Sequence, residues 1–378
     1  MLSFWEKQSF VAYDYVIVGG GIVGLSTAIS LQEKAPKARV LVLERGLLPS
    51  GASTKNAGFA CFGSATELIS DINTMGEEAA LELVKLRWEG LQLLERRLGK
   101  ERMGFERLGG YELIRLPELY ALNFIDKLND WLEPIFEQKV FLERPELISL
   151  FGFNKKEVRH IIGNPFEGQI HTGETLKNLY RMATAMGVEV ITGAEVHSFQ
   201  EEENKVKIWV RNPVNRSEEF AYEAQQLIVC TNAFTKKLLP QLPLKPGRGM
   251  VLVTKPMAEV PFKGTFHYDE GFFYFRNVGN RVLFGGGRNL AMEEETTTEF
   301  GINARIFDRL KKDLKEVIFP NQPTEIEMAW SGIMAFGVDK QPIVQRVSPR
   351  MLVGVRMGGM GVAIGSKVGE TLALQVLA

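Results

Sequence analysis

The chain has 378 residues, of which 45% are hydrophobic and 24% charged, and its formal net charge at neutral pH is −1. This length favours two or three structural units, and the charge balance argues against a nucleic-acid surface, since phosphate binding needs clustered Lys and Arg. The two cysteines, Cys61 and Cys230, are too few for a disulfide framework or a zinc site, so we expect a reducing compartment.

No part of the sequence is typical of export or membrane insertion. Residues 1–13 include Glu6 and Lys7 and lack a long apolar run, unlike a signal peptide. No apolar run approaches the roughly 18 residues that a membrane-spanning helix needs. We therefore expect a cytoplasmic protein without a transmembrane segment, and the oligomeric state stays open.

The N-terminal segment predicts a β-turn-α-β unit. Residues 13–18 (YDYVIV) are apolar and β-branched, as in a buried strand, and residues 39–44 (RVLVLE) form a second such run. Between them, a glycine-rich turn at 19–24 leads into helical sequence at 25–34. Two parallel strands need a crossover connection of this kind.

The rest of the chain alternates between helical and strand patterns. After a loop rich in small residues at 46–64, helices are predicted at 67–97, 174–186 and 300–318, and at the C-terminus. Strands are predicted at 109–115, 188–196, 205–211, 218–224, 227–230, 245–254, 271–276, 281–285 and 351–355. Residues 205–211 and 218–224 indicate a hairpin.

Parallel-type elements occur at the beginning, in the middle and at the end of the chain, and alternating strands fill the gaps. This pattern predicts an α/β protein (α+β overall). A discontinuous Rossmann-like nucleotide domain is expected to combine residues 1–97, 155–235 and 326–378. A substrate domain with a mixed or antiparallel sheet is expected to combine residues 98–154 and 236–325.

The glycine turn has the GxGxxG spacing of a dinucleotide site, in the required position between a strand and a helix. Gly19 permits the tight turn, Gly21 lets the backbone approach a pyrophosphate, and Gly24 lets helix and strand pack closely. The helix N-terminus would offer N–H groups to the phosphates. Glu44, at the end of the second strand, is placed to accept hydrogen bonds from a ribose diol, and it disfavours NADP.

Three further features favour FAD over NAD. Residues 51–58 form a small-residue loop whose backbone could pass close to a flat ring, and residues 227–232 resemble a late strand that returns beneath the dinucleotide. Residues 357–361 open the last helix, whose N-terminus would stabilise the negative charge that reduction places on a flavin.

Seven stretches, in order, carry a family resemblance: DYVIVGGGIVGLSTA, VLERG, GASTKNAGF, VEVITGAEV, LIVCTNAFT, AWSGIMAFGVDKQPIV and MGGMGVAIGSKVGE. Through them the chain resembles the FAD-dependent D-amino-acid oxidase superfamily, in the branch that contains glycine oxidase and sarcosine oxidase. Beyond the glycine turn, the resemblance implies FAD contacts at Glu44 and Arg45 (adenosine ribose), Ser53, Asn56, Ala57 and Gly58 (pyrophosphate and flavin), Val196 (adenine), Thr231 and Asn232 (dinucleotide), and Gly332, Gly358, Gly359, Met360, Gly361 and Val362 (isoalloxazine).

The departures from the family concern covalent attachment and the substrate. Relatives with covalent flavin carry a cysteine where this chain has Ile333 and Met334, so non-covalent FAD is predicted. The family's carboxylate-binding arginine and lysine would fall at Met334 and Ala363. Because both anchors are missing, a simple amino-acid substrate is in doubt.

Three residues are the leading candidates for the substrate pocket. Tyr274 and Arg276 share one face of a predicted strand with Phe272, and relatives use this sheet as the pocket roof. The alternatives are a cross-strand aromatic residue and a solvated edge charge. Arg248 matches a family turn near the flavin edge, where it could instead stabilise the turn. His267 is expected to be a structural histidine.

The predicted function is transfer of a hydride from a C–H next to an amine nitrogen, in an amine or amino acid, to flavin N5, with reoxidation by dioxygen or another acceptor. No metal-ligand spacing or nucleophile constellation is present in the sequence, and this chemistry needs neither. Three alternatives stay open: an FAD-dependent 2-hydroxy-acid dehydrogenase, a flavin-bound protein without turnover, and an NAD dehydrogenase.

Overall fold

The computed structural model describes residues 3–211 and 219–378. Its strands are β1 (Ala12–Val18), β2 (Val40–Glu44), β3 (Phe59–Ala60), β4 (Gly110–Ile114), β5 (Leu142–Glu143), β6 (His160–Asn164), β7 (Gly168–Gln169), β8 (Glu189–Thr192), β9 (Val196–Glu201), β10 (Val206–Arg211), β11 (Glu219–Val229), β12 (Lys245–Thr254), β13 (Thr265–Tyr268), β14 (Phe273–Val278), β15 (Arg281–Gly286), β16 (Ile326–Phe336), β17 (Ile343–Ser348) and β18 (Met351–Val355). Its α-helices are α1 (Phe4–Phe10), α2 (Ile22–Lys34), α3 (Ala52–Lys55), α4 (Ala65–Met75), α5 (Glu77–Met103), α6 (Ile125–Phe136), α7 (Leu147–Leu150), α8 (Thr172–Ala185), α9 (Ala304–Asp313) and α10 (Gly361–Leu377). Short 3₁₀ helices occupy Leu116–Phe124, Asn232–Lys237 and Arg288–Ala291, and a π-helical turn occupies Leu314–Ile318.

The first sheet has the strand order β17-β18-β11-β1-β2-β8. Its five strands from β18 to β8 run parallel, and β17 pairs antiparallel with β18 at the edge. This order places the carboxyl ends of β1, β2 and β11 side by side, where open α/β sheets bind their ligands. The predicted α/β class is confirmed.

Four helices, α2, α5, α8 and α10, cover one face of the parallel sheet around a single apolar core. Glycines bring them together: a Cβ on Gly369 of α10 would lie 2.6 Å from the Cβ of Ser26 in α2. A Cβ on Gly90 of α5 would lie 2.1 Å from the carbonyl oxygen of Ala363. The C-terminal helix is thereby held against the N-terminal βαβ unit.

The second sheet has the order β16-β12-β15-β14-β13-β4-β6-β5. One of its faces packs on α9 and on an aromatic core that contains the fully buried Phe266, Phe273, Phe275 and Phe284. The opposite face bounds the cavity described below. Within residues 3–211 and 219–378, no helix combines the length and apolar character needed to cross a bilayer.

Several predicted elements differ in extent from those observed. Residues 227–229 of the predicted strand 227–230 are the end of β11, which pairs with β10 in its first half and with β18 in its second. Gly193 (φ +73°) divides the predicted strand 188–196 into β8 and β9, and Gly76 (φ +86°) divides the predicted helix 67–97 into α4 and α5. The predicted hairpin is present as β10 and β11, but Glu218 and the rest of its turn lie outside the described residues.

The predicted division into two domains stays a proposal, and strand pairing favours one adjustment. The ranges 155–235 and 326–378, assigned to the nucleotide domain, contain β6 and β16, and both strands pair in the second sheet. We therefore propose that β6 and β16 belong to the substrate domain.

Candidate functional site

A cavity of about 620 Å³ lies between the carboxyl ends of the parallel strands and the open face of the second sheet. We call the part lined by residues within 18–23, 43–58, 194–196 and 230–238 the nucleotide groove. We call the part lined by α4, β13, β14, Arg288 and residues 334–340 the chamber. The turn at 357–363 lines the cavity between them.

The glycine turn after β1 forms one end of the nucleotide groove. Gly19 has φ +111°, which residues with a Cβ rarely adopt, and its N–H donates to the carbonyl of Leu43 at 2.8 Å. A Cβ on Gly21 would come within 2.8 Å of Ser53 Oγ, which accepts the N–H of Ile22 at 3.1 Å. The other N–H groups at the start of α2 have no side-chain cap and can donate to a phosphate.

Glu44 closes the groove at the end of β2. Its carboxylate is buried and accepts the N–H groups of Gly20 at 3.0 Å and of Gly46 at 2.9 Å, one on each oxygen. Each oxygen keeps a second lone pair, so the carboxylate can still accept hydroxyl donors such as those of a ribose.

The loop that was predicted to lie along a flat ring contains the short helix α3. Asn56 Oδ1 accepts the N–H of Gly58 at 2.8 Å and the hydroxyl of Thr172 at 3.1 Å, which fixes the turn after α3. The indole N–H of Trp330 donates to the carbonyl of Lys55 at 3.1 Å, so strand β16 holds the loop from the other side.

Two residues in the left-handed region lie where β11 and β18 end. Asn232 has φ +44° and Arg356 has φ +67°, and the Asn232 side-chain oxygen accepts the Arg356 N–H at 3.0 Å. Such strain is maintained by surrounding contacts and often accompanies a binding site. The next helix, α10, begins at Gly361 without a side-chain cap, which leaves its N–H groups facing the cavity turn.

In the chamber, His267 and Tyr274 are direct cross-strand neighbours on β13 and β14. Phe59 packs edge-on against both rings, with centroid distances of 5.0 and 5.6 Å. Burial lowers the pKa of His267 to about 4 and raises the pKa of Tyr274 to about 12, so both side chains are neutral at pH 7. His267 was expected to be a structural residue with its hydrogen bonds satisfied, but its Nε2 has no hydrogen-bond partner among the described residues.

A cluster of opposite charges forms the wall on α4. Lys340 Nζ lies 2.6 Å from Asp71 Oδ1 and 3.3 Å from Glu67 Oε1, and the buried Arg87 lies 3.6 Å from Asp71. Although burial favours the protonated form of Glu67, the charges of Lys340 and Arg87 hold its pKa below the ordinary value. Two cations and two carboxylates thus balance each other.

Glu167 lies behind this wall and is fully buried. Its carboxyl oxygen accepts the N–H of Phe62 at 3.2 Å, and its other oxygen is 3.9 Å from Nε2 of His267, beyond hydrogen-bond distance. Burial raises the pKa of Glu167 to about 8, so this group is a neutral carboxylic acid at pH 7.

Arg288 is the cation of the chamber that sequence reasoning missed. It is the half-buried first residue of a 3₁₀ helix. Its guanidinium stacks over Phe336, with 4.0 Å between the guanidinium carbon and the ring centroid. The acceptor recorded for it is the thioether of Met292, 2.8 Å from Nη1. A signal was present in the sequence, because a Gly-Gly-Gly run directly before Arg288 marks the end of strand β15.

The two other candidate arginines lie outside the cavity lining. Arg248 makes two hydrogen bonds of 2.8 Å to the buried carboxylate of Glu295, one to each oxygen, so its guanidinium is already paired. Arg276 is buried behind Gly58, and burial lowers its pKa to about 10. Of the three candidates, Tyr274 alone lines the chamber.

The family described as FAD dependent oxidoreductase (DAO) matches residues 14–375. The chain belongs to this family. Among curated relatives, the probable oxidoreductase OrdL of Haemophilus influenzae is 22% identical over 96% of the chain and 83% of its own length. L-2-hydroxyglutarate dehydrogenase of Escherichia coli is 27% identical over 62% of the chain and 51% of its own length. The crystal structure of glycine oxidase from Geobacillus kaustophilus aligns with a TM-score of 0.77 at 19% identity, over 97% of the chain and 95% of that structure.

As a member of this DAO family, the protein is an FAD-dependent oxidoreductase. The groove fits the cofactor: a Cβ on Gly21 would crowd Ser53 Oγ at 2.8 Å and narrow the groove. Apart from the Ile22 N–H, which Ser53 accepts, the N–H groups at the starts of α2 and α10 have no side-chain cap. The residues predicted to hold FAD line this cavity, apart from Gly24, whose Cβ would meet the Gly19 carbonyl oxygen at 1.9 Å. Gly24 is therefore a packing residue, and the individual FAD contacts stay a prediction.

Both cysteines also line the cavity, which sequence reasoning did not foresee. Cys61 Sγ lies 3.9 Å from the sulfur of Met360, and Cys230 follows the end of β11. Burial raises the pKa of the Cys230 thiol to about 12 and that of Cys61 well above its usual value. Protonated thiols are poor nucleophiles, which supports the prediction of non-covalent FAD.

Proposed function

We propose that this DAO-family protein oxidises a C–H bond next to the nitrogen of an amine or amino acid. The observation that carries the proposal is the environment of His267. Oxidation of a hydroxy acid removes a hydroxyl proton, and a base for that step works best with a pKa near the operating pH. A histidine whose pKa is about 4 is a weak base. A neutral amine needs no such base, because its own lone pair assists departure of the hydride.

Bound FAD would supply the hydride acceptor at this site, with dioxygen or another compound as the final electron acceptor. The chain's own residues bind and orient the substrate. Neutral His267 and the hydroxyl of Tyr274 provide hydrogen-bonding atoms without a charge that would repel or ionise the amine. Phe59 and the sheet exclude water, and desolvation favours the neutral form of a bound amine.

The names of the relatives support two chemistries. Glycine oxidase, whose fold covers nearly the whole chain, is named for an amine substrate. L-2-hydroxyglutarate dehydrogenase is named for a hydroxy acid, and its similarity supports the alternative of a 2-hydroxy-acid dehydrogenase. The weak basicity of His267 favours the amine.

Anaerobic reduction of the purified holoenzyme by matched pairs, each an amino acid and the corresponding 2-hydroxy acid, tests the proposal. Glycine against glycolate, alanine against lactate and glutamate against 2-hydroxyglutarate differ only in the heteroatom on the carbon that is oxidised. We expect loss of the oxidised-flavin absorbance with an amino compound and a rate that rises with pH as more free amine is present. Faster bleaching by the hydroxy acid of a pair would support the alternative, and a flavin that none of a wider amine panel bleaches would support binding without turnover.

The non-covalent attachment has a separate test. Acid precipitation of the holoenzyme should release the yellow colour into the supernatant. Colour that remains in the pellet would show a covalent bond, and Cys61→Ser and Cys230→Ser variants would then test the two cysteines that line the cavity.

A further inference from the structure

We infer that Arg288 binds a carboxylate of the substrate, which makes the substrate an amino acid and not a simple amine. This inference deepens the proposed function and rests on it for the amine. The carboxylate itself would serve a 2-hydroxy acid equally well.

The first support is the unmet hydrogen-bonding capacity of Arg288. A guanidinium has five N–H donors in a planar fork that matches a carboxylate, and it stays charged in proteins. In the described part of the chain, no carboxylate oxygen lies within ion-pair distance of Arg288, and its recorded acceptor is a thioether, which accepts weakly. Burial lowers its pKa, as expected of a charge that has lost water without gaining a partner.

The second support is that the acidic group whose charge acts on Arg288 is already occupied. Glu295 contributes to the field at Arg288, but its two oxygens are taken by Arg248 at 2.8 Å each and by the amide of Asn303 at 2.9 Å. By contrast, in the α4 wall of the chamber the charges of Lys340, Glu67 and Asp71 each have an opposite charge beside them. Arg288 therefore adds a net positive charge to the cavity wall, and a bound anion would neutralise it.

The third support is that the guanidinium is held in place. It stacks on Phe336, and a Cβ on Gly247 would lie 2.5 Å from the Phe336 ring and 3.4 Å from Arg288 Nη1. Glycine at 247 thus leaves room for the stack. Phe336 in turn lies 4.0 Å from the position of a Cβ on Gly359. The stacked pair consequently borders the turn that opens α10, next to Met334, one of the two positions where the family's usual anchors are missing.

Ligand binding to the holoenzyme tests this inference without turnover. Perturbation of the flavin absorbance is titrated with benzoate and propionate and with their uncharged partners, benzamide and propionamide. Wild-type protein should bind a carboxylate more tightly than its amide. Arg288→Gln should weaken carboxylate binding about ten- to a hundredfold, as expected for charge-assisted hydrogen bonds, and should leave amide binding unchanged. Arg288→Lys keeps the charge but loses the planar fork of donors, so its affinity for carboxylates should lie between those of wild type and Arg288→Gln.

The matched control is Arg281→Gln, at the start of strand β15, which precedes the 3₁₀ helix of Arg288. Arg281 pairs with Glu327 on the surface and does not line the cavity, so this variant should bind like wild type. Equal affinity of wild type for carboxylates and amides, or an unchanged carboxylate preference in Arg288→Gln with normal flavin content, would overturn the inference. The two proposals can fail separately. If carboxylate binding depends on Arg288 but no amine bleaches the flavin, Arg288 remains the carboxylate-binding residue and the proposed function is rejected.

Discussion

The nucleotide groove and the chamber are two halves of one cavity that are built from different parts of the chain. The groove is made of strand ends, helix N-termini and glycines, and its recognition groups are mostly backbone N–H donors. The chamber is made of side chains that project from a helix, a sheet and a 3₁₀ segment, and several of these are buried and ionisable. Binding in the groove therefore depends on the space that glycines leave open beside the backbone. Binding in the chamber depends on the charge of its side chains.

The largest expected effect follows from adding atoms to the groove. Gly21→Val should abolish FAD retention, because the first added carbon already lies 2.8 Å from Ser53 Oγ and fills the space beside the phosphates. We expect a flavin-to-protein absorbance ratio at least about tenfold below wild type. Gly173→Val, at an exposed glycine in the first turn of α8, is the control and should keep its flavin. Wild-type flavin content in Gly21→Val would refute the placement of the phosphates.

The neighbouring Gly24 should respond differently, since its role is packing. A Cβ there would lie 1.9 Å from the Gly19 carbonyl oxygen, and no rotamer change relieves a clash with backbone. Gly24→Ala should therefore lower the free energy of unfolding by about 3 kcal/mol or more, measured by urea denaturation of the apoprotein. Gly21→Val should lower the free energy of unfolding of the apoprotein much less. If both variants lost the same stability, the distinction between the two glycines would be lost.

Sequence reasoning reached the groove because its signals are local. A GxGxxG turn between a strand and a helix specifies a backbone shape, and the residues that line the groove follow strand ends directly. The two successive pairings of β11 were not predictable from the sequence. They depend on β10 and β18, which lie far apart from each other in the chain.

The chamber was harder to predict because its residues meet only after folding. Period-2 alternation correctly placed Tyr274 on the cavity face, yet it could not show that Arg276 lies behind Gly58. The pairing of Arg248 with Glu295 joins residues 47 positions apart. Nothing in the local pattern indicates that Lys340 meets Glu67 across the chamber wall.

The buried carboxyl group of Glu167, behind the α4 wall of the chamber, leads to a prediction about stability. The pKa of Glu167 rises from an ordinary 4.5 to about 8 on folding, so its protonated form is favoured in the folded state. Its contribution to stability is fully present below pH 4.5 and is lost as pH rises toward 8. Glu167→Gln, which stays neutral, should match wild type near pH 4.5 and exceed it by a few kcal/mol at pH 8.

Urea denaturation of both proteins at pH 5 and pH 8, with saturating FAD, measures this difference. Glu133→Gln, at an exposed position on α6, is the control and should show no such pH dependence. A difference between Glu167→Gln and wild type that is constant across this range would mean that Glu167 is ionised in the folded protein.

The smallest expected effect concerns His267 and separates the two proposed chemistries. If this imidazole were the base for a hydroxyl proton, His267→Asn would slow flavin reduction by about 10²- to 10⁴-fold. Because its pKa is about 4, we expect the imidazole to donate or accept a hydrogen bond only, and the asparagine amide can do the same. Anaerobic stopped-flow reduction by an amino acid should then slow by no more than about tenfold, roughly one hydrogen bond. The wild-type rate should also lack an acid limb near pH 6.5, since a histidine with a lowered pKa loses its neutral form only as pH falls toward 4. A limb near 6.5 that disappears in His267→Asn would assign His267 as a base and favour the hydroxy acid.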